Sequence, residues 1–136
     1  MKMKLPPHVS FHHDLRLMVW RPRGILGDEQ VNQIVEFLEK EEDRAEKPFN
    51  RFTDMSRLDA VDLEPQFVFR VSLHRRLVYA GRPPVKSAFY VTSEAVARLV
   101  KIHVLMTDQS PLECAMFETL EETAKWLGVS TETLEM

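Results

Sequence analysis

The strongest constraint on the fold of this chain is the order in which its apolar periodicities change. Leu15-Arg16-Leu17-Met18-Val19-Trp20 alternates with period two, and Val9 and Phe11 precede it across His12-His13-Asp14, which predicts an opening hairpin. Behind Gly24 and Gly27, the residues Val31, Ile34, Val35 and Leu38 fall at i, i+3, i+4 and i+7. That spacing predicts an amphipathic helix capped by Asp28, with Glu36, Glu39, Glu41, Glu42 and Asp43 as its solvated face and tail. A strand is expected over Asn50 to Met55 and a second helix over Leu63 to Leu77. Ala80-Gly81-Arg82-Pro83-Pro84 then turns the chain into a strand over Val85 to Val91. Ser93 caps a third helix, Leu112 to Phe117 reads as a last strand, and Thr119-Leu120-Glu121-Glu122 is a capping box opening a short helix that stops at Gly128. Strands alternating with helices after a hairpin imply an α/β domain with a largely parallel sheet. The 136 residues suit one such domain, with a flexible N-terminus over 1–7 and a tail over 130–136.

Charge and composition narrow the function. Lys and Arg number 18 against 21 Asp and Glu, so no excess of positive charge draws the chain to nucleic acid. Cys114 is the single cysteine, which excludes an internal disulfide and a Cys-rich zinc site and reads as a core thiol. No apolar run has signal-peptide or membrane-span length, and a cytoplasmic location is expected. No cofactor motif is present: there is no phosphate-cradling glycine loop, and His8, His12, His13, His74 and His103 lack metal-site spacing. Ser56 and Cys114 have no base nearby in sequence, so the chain reads as a non-enzyme.

Three stretches carry a family resemblance: Gly24-Ile25-Leu26-Gly27-Asp28, the strand ending Phe52-Thr53-Asp54-Met55-Ser56-Arg57-Leu58, and Met116 to Val129. In order and spacing they resemble the sporulation anti-sigma-factor-antagonist-like proteins of the STAS/Sec14 type, over about Val9 to Val129. The resemblance implies a four- or five-stranded mixed sheet with helices mainly on one face, and a regulatory or binding role without catalysis. Its better understood relatives are switched by phosphorylation of a serine in an Asp-Ser-Ser-Gly loop. Setting Asp54 at the strand end puts Asp62 on that Asp, with Leu63, Glu64 and Pro65 in place of Ser, Ser and Gly. The switch serine is absent, and Asp62 serves instead as an expected cap of the second helix.

The candidate contact surface for a protein partner or small anionic ligand is therefore Asp54, Ser56, Arg57, Asp62 and Glu64. On this reading Asp54→Ala or Glu64→Ala weakens partner capture with little change in thermal stability. A second candidate is basic. From Arg70 to Lys86 the chain has no acid, whereas Asp28 to Lys47 has eight acidic residues against three basic ones, so Arg70, Arg75 and Arg76 form a possible docking patch. Were one sheet face uncovered, Met18, Trp20 and Tyr90 would offer an apolar patch for a homodimer. Two alternatives stay open. One is a carrier of lipid or another apolar molecule in a cavity between helices and sheet. The other is a small metal-dependent hydrolase in which Asp54, Asp59 and Asp62 converge on a cation.

Overall fold

The computed structural model describes residues 4–135. The hairpin forms as expected: β1 (Val9–His12) runs antiparallel to β2 (Leu17–Trp20). The order continues with β3 (Gly24–Gly27), α1 (Asp28–Arg44), β4 (Asn50–Asp54), β5 (Leu58–Asp62), α2 (Pro65–Tyr79), β6 (Val85–Tyr90), α3 (Glu94–Met106), β7 (Leu112–Phe117), α4 (Leu120–Leu127) and α5 (Thr131–Leu134). Five strands make one mixed sheet in the order β1-β2-β4-β6-β7, parallel from β2 onward. Each crossover steps the same way along the sheet. With constant handedness, helices joining such steps fall on one face.

Met18 and Trp20 point to that face and pack with Ile34 and Phe37 of α1 and with Val96 and Val100 of α3. On the opposite face Leu17, Val19, Phe52 and Ala88 are covered by Ala124 and Leu127 of α4 and by Leu134 of α5. Three long helices thus lie on one face and two short ones on the other. That coverage removes the apolar patch expected for self-association, since Met18 and Trp20 are 1% and 8% exposed and Tyr90 packs beside α4 and α5.

Three local expectations are corrected. The segment 131–134, expected as part of a tail, is a helical turn; Ser130 caps it, and Leu134 is fully buried against the sheet. Residues 1–3 and 136 of the expected flexible ends lie outside the described residues. The α1 cap is Gly27, whose N–H donates to the Gln30 side-chain oxygen at 2.9 Å, and Asp28 is the first helical residue. Asp62 does not cap α2. Pro65 opens that helix and holds the residue before it extended, so Glu64 occupies the cap position, without a side-chain cap bond.

The largest departure is a second, two-stranded parallel sheet in which β3 pairs with β5, Leu26 opposite Val61 and Gly27 opposite Asp62. The register shifts between Gly24 and Ile25, leaving Asp59 as the extra residue of a bulge. The expected loop after Asp54 is therefore a turn followed by a strand. Leu26 and Val61 face the α1 and α3 side of the core, while Ile25, Asp59, Ala60 and Asp62 face outward.

Candidate functional site

The candidate residues around Asp54 do not form one surface. Asp54 ends β4 and is 3% exposed. Its Oδ2 accepts from Arg21 Nη1 at 3.1 Å, and Arg57 Nε lies 3.6 Å away. Its Oδ1 accepts the Ser56 N–H at 2.9 Å and the Ser56 hydroxyl, the two-residue reach by which an aspartate builds a tight turn. Arg21 Nη2 goes on to the Leu134 carbonyl at 2.7 Å, so this cluster ties α5 to the sheet. Burial lowers the Arg21 pKa, with Asp54 opposing. Ser56, Asp62 and Glu64 are exposed on the outer side of this segment. Asp54 is committed inward and Asp59 and Asp62 are exposed on β5; among the described residues no three His, Cys, Asp or Glu gather as metal ligands.

The proposed basic patch is likewise dispersed. Arg75 is 3% exposed and grips Glu42 with two bonds, Nη1 to Oε1 at 3.0 Å and Nη2 to Oε2 at 2.6 Å. Arg76 donates to the Met106 and Asp108 carbonyls at the end of α3, and Arg70 stands exposed. The charge asymmetry of the sequence closes within the molecule: Glu39, Glu42 and Asp43 of α1 face His74, Arg75 and Arg82. The side chain of Glu42, read as solvated, is buried; desolvation raises its pKa, but the bond from Arg75 and the charge of Arg51 outweigh this and hold it low.

The feature best suited to bind something is a cavity of about 130 Å³ between the long helices and the sheet. Because α2 and α3 run back against the strands, its two ends differ. Near the strand C-termini it is apolar, walled by Met55, Val61, Leu63, Phe67 and Val96. Toward the strand N-termini it is polar, with Arg51, Ser87, Ser72, Arg75 and His103. Ser72 Oγ and His103 Nδ1 are 2.8 Å apart, and the His103 ring meets Phe89 edge-on at 5.5 Å. Desolvation and the neighbouring Arg75 charge lower the His103 pKa to about 4, so the imidazole is neutral at pH 7. The segment 54–64 and the start of α2 do border this site, but through Met55, Val61, Leu63 and Phe67. The polar residues of this segment face away from the cavity or bond within the fold, and the cavity uses the apolar ones between them.

No protein-family model matches the chain, and no curated protein sequence matches it significantly. Among solved structures it is similar to an uncharacterized protein of the DUF3478 family with a SpoIIAA-like fold from Shewanella loihica PV-4. The similarity covers 93% of this chain and 99% of that one, at a TM-score of 0.54 and 17% identity. The fold is SpoIIAA-like. The resemblance read from the three motif stretches is thus carried by the whole architecture. In this chain the link between β4 and α2 holds a strand, β5, and no serine stands from Asp59 to Pro65. Among the described residues, no helix is long and apolar enough to cross a membrane.

Proposed function

We propose that this SpoIIAA-like domain is a non-enzymatic binding module that holds a small, largely apolar molecule between its long helices and its sheet. The observation that supports this is the cavity itself. Native interiors are close-packed, and an unfilled apolar recess of about 130 Å³ between helices and sheet forfeits dispersion contacts that a few larger side chains would restore. A void of roughly 150 Å³ with an apolar lining is enough to bind benzene. This volume falls short of the several hundred Å³ that a lipid chain would need, so the carrier reading narrows to a compact ligand.

The exposed side of β5, with Ser56, Asp59, Asp62 and Glu64, is the proposed contact face for a protein partner. It lies on the same thin wall as Val61, one residue layer from the cavity.

The test is titration of benzene and pentan-1-ol followed by backbone amide NMR, on the native chain and on Val71→Phe, whose ring would occupy the space. Shifts clustered at Val71, Val96 and Val100, and lost in Val71→Phe, are expected. No saturable shift at these residues with either probe overturns the reading.

A further inference from the structure

The polar end of the cavity contains a cation whose hydrogen bonding is incomplete. Arg51 is the second residue of β4, 2% exposed, and donates from Nη1 to Glu42 Oε2 at 2.7 Å. Its Nε and Nη2 are buried and meet no acceptor among the described residues. The guanidinium is held over the Phe49 ring at 4.6 Å and near the Tyr79 ring at 5.7 Å, contacts that fix its plane without accepting its N–H groups. Unmet buried donors are costly, and a native structure rarely keeps two on one side chain. Nε and Nη2 also form one edge of the guanidinium, with parallel N–H vectors that match the two oxygens of a carboxylate.

Charge points the same way. Arg51 and Arg75 share Glu42, and the second acid within reach, Glu39, meets Arg75 only at 3.5 Å and bonds His74 on the exposed side. One more negative charge beside Nε and Nη2 of Arg51 would complete the cluster. The surroundings suit a carboxylate: Ser87 is the register neighbour of Arg51 on β6, and Thr53 follows it along β4 on the same face. The rest of the lining is apolar.

We infer that the cavity takes a small monocarboxylic acid with a compact apolar body, its carboxylate seated on the Nε and Nη2 edge of Arg51 and its body lying toward Val71, Val100 and Phe67. This rests on the proposed role of the cavity as a ligand site. Arg51 is then a binding residue, and Glu42, Phe49 and Tyr79 position it.

The experiment compares pentanoate, pentan-1-ol and pentylamine by amide NMR titration at pH 7, on the native chain and on Arg51→Met. Pentanoate is expected to bind at least ten-fold more tightly than the alcohol and the amine more weakly than either. Arg51→Met is expected to erase the acid's advantage over the alcohol. Equal affinity of acid and alcohol at Val71 and Val100 overturns the carboxylate assignment and leaves the cavity reading standing. Absence of saturable binding by all three overturns both. If Arg51→Met does not fold, the ranking of the three probes on the native chain decides alone.

Discussion

Asp54→Ala tests whether the strand-end aspartate is a surface contact or a structural one. In the fold its carboxylate balances Arg21, which is itself buried, and truncation leaves that guanidinium with only the Leu134 carbonyl. Breaking a buried ion pair from one side costs about 3–5 kcal/mol, because the surviving charge stays desolvated. The lower end applies here: Arg21 keeps one strong bond, and the exposed Ser56 can turn its donors to water. With an unfolding entropy of about 2.1 cal/mol/K per residue, a loss of about 3 kcal/mol in a domain of this length lowers Tm by about 10 °C. Calorimetry with urea denaturation measures it. A double-mutant cycle with Arg21→Met identifies the cause, since removing both charges is expected to restore more than about 1 kcal/mol relative to additivity. A Tm within about 3 °C of the native value would refute the structural role and return Asp54 to the surface reading.

Three further outcomes follow from single contacts. The His103 pKa is lowered in the folded state, so the unfolded chain binds the extra proton; the associated stability is full above pH 6.5 and is lost as pH falls toward about 4, reaching about 3 kcal/mol. Urea midpoints of the native chain and His103→Gln, measured from pH 7.5 to 4, are expected to converge as the pH falls; parallel curves would exclude this. Glu42→Gln strips the counter-charge from Arg51 and Arg75 and is expected to cost about 3 kcal/mol or more, whereas Glu36→Gln breaks only an exposed pair with Lys40 and stays within about 0.5 kcal/mol. Gly128 ends α4 at φ +76° with open space where a Cβ would go, so Gly128→Ala costs about 1 kcal/mol through backbone strain alone, which thermal unfolding reads as about 3 °C.

Most of the main framework was legible because it is periodic. Val31, Ile34, Val35 and Leu38 mark α1, and the runs 85–91 and 112–117 mark central and edge strands by apolar content. The β3–β5 pair was not legible, since four- and five-residue strands carrying Gly24, Gly27, Asp59 and Asp62 have the composition of turns, and their pairing joins residues over thirty positions apart. Charged residues were misread for a related reason. An acid on a helix is exposed by default, and nothing local shows that Glu42 meets Arg51 and Arg75, which come from other elements. One signal was present: Arg51 stands inside a strand otherwise expected to be buried, where a charge persists only with a partner or a task.

That strand also separates the two clusters by parity. On β4, Arg51 and Thr53 project to the long-helix face and line the cavity, as does Met55 just beyond its end, whereas Phe52 and Asp54 project to the face covered by α4 and α5. Neighbours along a strand point in opposite directions, so the sheet itself stands between the Arg51 site and the Asp54 clamp. Substitution at one is therefore expected to act independently of the other. Asp54→Ala loosens α5, whose Leu134 and Thr133 amides should lose hydrogen-exchange protection, while the folded fraction keeps its affinity for pentanoate within about two-fold. Arg51→Met does the reverse, removing the preference for the acid while α5 stays protected. If Asp54→Ala abolished ligand binding in a chain that remained folded, the two clusters would be coupled through the sheet, and assigning Asp54 to structure and Arg51 to recognition would be wrong.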